Sequence, residues 1–148
     1  MQQSRRTAAH VTHMDECEMT AILALRESLK PEAAKRGVKL TFLPFIVRAL
    51  VETLGEFPMF NASLDEAAAE IVVKRRRNIG VAVAAPQGLV VPNIKEAQDK
   101  DIWAIASEIS ALAEKVRANK IDVASLQDGT FTITNGGVFG SLMSTPII

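Results

Sequence analysis

The chain has 148 residues, enough for one domain of ordinary size; 48% are hydrophobic and only 5% aromatic, so an aliphatic core is expected. Seventeen basic residues balance seventeen acidic ones, which argues against a dedicated nucleic-acid-binding or membrane-surface protein, since both need a strong positive field. A single cysteine, Cys17, rules out an internal disulfide, and neither an apolar signal core nor a run long enough to cross a membrane is found, so a soluble protein of a reducing, intracellular compartment is expected.

Residues 1–9 are polar, carry Arg5 and Arg6, and read as an arm or lead-in. Residues 10–20 suit a strand ending where Thr20 can cap a helix. Ile22, Leu23, Leu25 and Leu29 then recur at helical spacing up to a stop near Gly37, with a kink or break expected at Pro31. Thr41 is the expected N-cap of the next helix, which places Pro44 in its first turn and an apolar face on Phe42, Phe45, Ile46, Ala49, Leu50 and Leu54. Short runs at 61–64, 71–74 and 78–84 read as strands, followed by a turn at Pro86-Gln87-Gly88 and a strand at 89–91. Asp101 opens a helix with Ile102, Ile105, Ala106, Ile109, Leu112 and Val116 on one face. Asp128-Gly129 turns the chain into a strand over 130–134, and Gly136-Gly137 begins a loop. With no repeat or linker, the pattern is one α/β or α+β unit. The apolar tail Thr145-Pro146-Ile147-Ile148 is expected to be an interrupted end, with further strands belonging beyond it.

Four features carry possible chemistry. His10 and His13 invite a metal reading, but residues three apart on a strand point to opposite faces, so no metal is expected. Cys17 has no neighbour in sequence that marks it as a nucleophile, and Met14, Met19 and Met59 read as core or interface filler. The run Lys74-Arg75-Arg76-Arg77 reads as a solvated strand or turn ahead of a nucleic-acid patch, with phosphate binding left open. In the segment TFTITNGGVFGSLMSTPII (130–148), Thr130, Thr132 and Thr134 share one strand face, opposite Phe131 and Ile133. The glycines that follow either let a ligand approach the backbone or simply make a turn.

That last segment resembles a signature of dihydrolipoamide acyltransferase catalytic domains, the chloramphenicol acetyltransferase-like cores of 2-oxoacid dehydrogenase complexes. HVTHMDECEMTAILALRESLKP, RGVKLTFLPFIVRAL, FPMFNASLD and NIGVAVAAPQGLVVPNI resemble the same family, in the same order. The resemblance covers nearly the whole chain and implies a mixed sheet flanked by helices, in subunits that form trimers and then a cubic or dodecahedral core. It also implies acyl transfer between dihydrolipoamide and coenzyme A at a site between subunits, alongside decarboxylase and dihydrolipoamide dehydrogenase partners. Nucleic acid, membrane and metal have no part in it. A cytoplasmic location, or the mitochondrial matrix in a eukaryote, goes with that role.

The reaction needs a base to deprotonate a thiol and a donor to stabilise the tetrahedral oxyanion. By resemblance the oxyanion donor is the hydroxyl of Thr134, and the coenzyme A contacts are Arg26, Thr41, Thr134 and Asn135. Ala84 stands where some relatives carry Asp, which removes one contact. The family's base is a histidine in a C-terminal Asp-His-Arg motif that this sequence does not contain. Residues 1–148 are therefore expected to be a partial catalytic domain, without lipoyl and peripheral-subunit-binding domains, and inactive alone. A non-catalytic scaffold or coenzyme A-binding piece is the alternative. For the acyl group, TITNGGVFGSLMSTPII (132–148) looks most like succinyl-transferring enzymes, while LRESLKP, RGVKLTFLPF and GLVVPNIK look closer to branched-chain and acetyl-transferring ones; succinyl is preferred because the Thr134 strand borders the reacting centre.

Overall fold

A computed structural model describes residues 2–86, 88–137, 140 and 143–147, and divides into two units, Met1–Met19 with Asn135–Ile148 and Thr20–Thr134. In the first unit the lead-in is helical rather than an arm: α1 spans Gln2–Thr7. The strand expected over 10–20 is not formed. Residues 9–19 lack regular structure, and all but Met19 are exposed. Alternation alone cannot hold a strand whose backbone groups meet no neighbouring strand, and none among the described residues pairs with this segment.

The second unit opens with α2 (Thr20–Lys35), whose first residue is Thr20 itself. The break expected at Pro31 is absent, because the helix runs through it to Lys35. Proline's fixed φ suits a helix, and its cost lies in the N–H it cannot give to the Glu27 carbonyl and in crowding against that group. Ala33, two residues on, is buried with Leu40 and Ala106, so tertiary packing holds the last turn. Gly37 then ends the helix with φ +66°. The Val38 amide donates to the Ala33 carbonyl at 2.9 Å and the Gly37 amide to that of Ala34 at 3.1 Å, a paired closure that needs a left-handed residue.

α3 covers Leu43–Glu56. Its N-cap is Phe42, without a side-chain capping bond, so Thr41 is not the cap; Pro44 does sit in the first turn. The buried stripe is Pro44, Val47, Val51 and Leu54, while Ile46 and Ala49 of the expected face are exposed. The buried face is rotated from the expected one because Val47, Val51 and Leu54, at four- and three-residue spacing, pack on the sheet and α4, while Ile46 meets solvent.

Strands β1 (Ala62–Asp65) and β2 (Glu70–Val73) form an antiparallel hairpin. The single strand expected at 78–84 is two, β3 (Ile79–Val81) and β4 (Val83–Ala85), parted at Ala82. β4 pairs with β5 (Gly88–Val90) in a second antiparallel hairpin, at whose turn Gln87 lies outside the described residues. β6 (Asn93–Ile94), not foreseen, follows Pro92. After α4 (Ile102–Arg117), β7 (Phe131–Ile133) completes a three-stranded mixed sheet in the order β6-β3-β7, with β3–β6 antiparallel and β3–β7 parallel. Asp101 caps α4 as expected, accepting the Ala104 amide at 2.7 Å.

The main core joins this sheet to two helices: Val47, Val51 and Leu54 of α3 and Ile105 and Leu112 of α4 pack with Ile79, Val81 and Ile94. Each such side chain contributes about 1.5–3 kcal/mol of burial. β3 is buried along its length, so it reads as an apolar run, whereas β7 alternates, with Phe131 and Ile133 turned inward and Thr132 exposed. Among the described residues, no helix is long and apolar enough to cross a membrane.

Candidate functional site

Arg26 lies on α2 with a quarter of its side chain exposed, and its contacts reach fourteen residues along the chain. Nε donates to the Leu40 carbonyl at 3.0 Å, and the guanidinium lies 4.9 Å from the Phe42 ring centroid. Nη1 donates to Glu27 at 3.1 Å, and the second Glu27 oxygen is 2.6 Å from Lys30. The Lys30 hydrogen bond, then the two nearby cations, hold the Glu27 carboxyl below its ordinary range despite some desolvation. Thr41 is half-buried between the two residues that grip Arg26. The fold thus brings together two of the four expected contact residues, Arg26 and Thr41. Among the described residues, Nη2 and one Nη1 hydrogen have no partner, a fork suited to a phosphate.

Thr134 follows directly after β7 and is exposed, continuing the hydroxyl face of Thr132. Opposite Thr132 in register is Gly80, where an added Cβ would come within 3.0 Å of the Thr132 hydroxyl and 2.8 Å of Val91. Asn135, exposed and in the other unit, accepts the Gly137 amide at 3.1 Å through Oδ1. Of the glycine-rich loop beyond, Val138, Phe139, Ser141 and Leu142 lie outside the described residues, as does Ile148. Ala84 is exposed in β4 opposite Leu89. Phe42, read from sequence as part of a core-facing stripe, is instead the platform under Arg26; no periodicity signals that. His10 bonds the Ala8 carbonyl at 2.9 Å and His13 lies 3.8 Å from Asp15. Cys17 is exposed.

A family model described as 2-oxoacid dehydrogenases acyltransferase (catalytic domain) matches residues 1–148. The chain belongs to this acyltransferase family. It is 42% identical over 148 residues to the dihydrolipoyllysine-residue acetyltransferase component of the pyruvate dehydrogenase complex of Bacillus subtilis, covering all of this chain and 34% of that protein. Over 145 residues it is 44% identical to the succinyltransferase component of the 2-oxoglutarate dehydrogenase complex of the same organism, covering 97% and 34%. The cubic core of a pyruvate dehydrogenase multienzyme complex superposes with a TM-score of 0.96 at 37% identity, over 99% of this chain and 60% of that one. The chain therefore spans about a third of the length of the curated relatives it matches. Enzyme family and fold agree with the resemblance found in the sequence. As a member of the acyltransferase family, the chain has its mixed sheet and the helices α2, α3 and α4 in the family arrangement.

Proposed function

We propose that this domain binds coenzyme A through Arg26 and Thr41 and stabilises the oxyanion of acyl transfer between lipoamide and coenzyme A through Thr134. The observation that carries the reading is the grip of the Leu40 carbonyl and the Phe42 ring on Arg26, beside Thr41. A surface arginine left to solvent loses rotamer entropy when it binds; one already oriented loses less. Its free N–H groups then meet a phosphate as charge-assisted hydrogen bonds, with the Thr41 hydroxyl as a further donor. Asn135 is a coenzyme A contact by family resemblance alone.

The chemistry at the thioester follows from Thr134. Attack of one thiolate on the carbonyl carbon makes a tetrahedral intermediate with a negative oxygen, which collapses by expelling the other sulfur. A hydroxyl aimed at that oxygen lowers the barrier because the charge it meets is largest in the transition state. An exposed hydroxyl at a strand end can meet a ligand; a core hydroxyl could not. No residue of 1–148 is assigned as the general base, so the primary test reads binding.

The acyl group is proposed to be succinyl on the strength of the segment following β7, although identity to the acetyl- and succinyl-transferring relatives is nearly equal. Self-association as trimers within a larger core, with decarboxylase and dihydrolipoamide dehydrogenase partners, is part of the same reading. It is supported by the likeness to a cubic core and by an apolar surface on the β1–β2 hairpin, where Leu64 and Ile71 are 62% and 57% exposed.

Calorimetric titration with coenzyme A tests the site. Arg26→Ala should weaken binding at least about tenfold, the loss of charge-assisted hydrogen bonds to phosphate, and Arg26→Lys should restore only part of it. Unchanged affinity in Arg26→Ala would remove the coenzyme from this cluster.

A further inference from the structure

The basic run Lys74-Arg75-Arg76 has no part in the site above, yet it forms one wall of a cleft of about 380 Å³ completed by Asn78, Asp128 and Thr130. We infer that this cleft binds a small phosphate-bearing anion of the diphosphate type.

Its walls are fixed by two buried amides. Asn61, 1% exposed, donates from Nδ2 to the carbonyls of Lys74 at 2.8 Å and Arg76 at 2.9 Å, and its own carbonyl accepts the Lys74 amide at 2.9 Å. Asn61 Oδ1 is buried without a partner among the described residues, an unfavourable placement for an amide oxygen that goes with the Nδ2 hold on the basic run. Asn78, 3% exposed, fixes the facing wall: Nδ2 donates to the Asp128 carbonyl at 2.8 Å, Oδ1 accepts the Glu96 amide at 2.8 Å, and the Asn78 amide donates to the Thr130 hydroxyl at 3.1 Å. Both Asp128, at φ 58°, and Glu96, at φ 46°, are held in left-handed backbone by these contacts.

The charges are not balanced within this frame. Arg76 pairs with Glu96 at 3.1 Å, and Asp128 lies 3.9 Å from Lys95. Among the described residues, Lys74 and Arg75 have no carboxylate partner, although the chain carries as many acids as bases. Adjacent cations on a rigid backbone repel one another, and a doubly charged anion relieves that repulsion while taking their hydrogen bonds. The volume suits a small molecule and not a duplex, and no aromatic side chain lines the cleft to stack a base. Asp128 also lines the cleft, and the Lys95 ammonium 3.9 Å from its carboxylate offsets the repulsion it would exert on an anion.

Titration of the protein with pyrophosphate at constant ionic strength, followed by backbone amide shifts and by calorimetry, tests the assignment. One saturable site is expected, with shifts centred on residues 74–78 and 128–130. Lys74→Ala combined with Arg75→Ala should weaken it at least about tenfold through the charge-assisted bonds lost. Arg5→Ala with Arg6→Ala, and separately Arg26→Ala, should leave it unchanged. The inference is overturned by non-saturable binding, by equal weakening in the Arg5/Arg6 control, or by loss of binding in Arg26→Ala, which would place the anion in the coenzyme cluster. Binding of polyglutamate where pyrophosphate fails would also overturn it, in favour of an acidic protein segment. The amide shifts in the unmodified protein decide the case should the double variant not fold, and coenzyme A affinity of Arg26→Ala remains a separate readout.

Discussion

A threonine at the end of a strand has two ordinary fates, a back-bond to its own chain or a hydroxyl offered outward. The outward geometry at Thr134 is exposed and continues the face of Thr132, opposite the core-facing Phe131 and Ile133. Thr134→Val, nearly isosteric, keeps the shape and β-branching and removes the donor. In an active transferase containing this sequence, kcat for acyl transfer between dihydrolipoamide and coenzyme A should fall about 10²–10³-fold with little change in KM, the range seen when one oxyanion donor is lost. Thr134→Ser should recover most of it. Equal kcat in Thr134→Val and the parent would exclude the oxyanion role. Because the side chain is exposed, the thermal midpoint should move little in either variant.

At the scale of elements, the central strand depends on what Gly80 lacks. β3 lies between β6 and β7, and the space above Gly80 is filled by Val91, the Thr132 hydroxyl and the Asn93 side chain. A methyl there would stand 2.8 Å from Val91 Cγ1, closer than side chains in a folded core come, and 3.1 Å from Asn93 Oδ1, tighter than most such contacts. Asn93 cannot simply swing away, since its Nδ2 donates to the carbonyls of Ser125 and Gln127, both at 3.2 Å. Gly80→Ala should therefore destabilise the domain by about 1–3 kcal/mol through overpacking, measured by urea denaturation. A neutral or stabilising outcome would mean that β6 and β7 can move apart freely. The order of helices and strands was largely legible from the sequence, because periodicity, Gly37, Pro44 and the Asp101 cap are local signals. What was not legible is non-local. The split at Ala82, the short β6 and the rotated face of α3 arise from which neighbours meet in space, and residues 10–20 look like a strand without having a neighbour to pair with among the described residues. The site divides the same way. Arg26, Thr41, Thr134 and Asn135 were named by resemblance, whereas the Leu40 and Phe42 grip on Arg26 and the Asn61 and Asn78 braces depend on contacts across fourteen to fifty-two residues.

For the whole molecule, several large apolar side chains are exposed next to one another in the chain after α3 and on the β1–β2 hairpin. Phe57, Met59 and Phe60 follow α3 at 51%, 59% and 71% exposure, and Leu64, Ile71 and Val73 share one exposed face of the β1–β2 hairpin, with Val72 on the other. Such contiguous surface marks an interface or favours aggregation, and a charged or polar substitution separates the two. An ordered interface is broken by one well-placed change and leaves a soluble smaller species; nonspecific association only becomes weaker by degrees. Ile71→Lys, on an exposed hairpin position, should not disturb the core built on Ile79, Ile105 and Val47. Sedimentation velocity should then show a discrete oligomer in the parent and a dissociated species in the variant, with secondary structure retained. If the parent is monomeric at micromolar concentration, or if Ile71→Lys leaves its oligomer intact, the hairpin is not the contact surface and self-association must use another face.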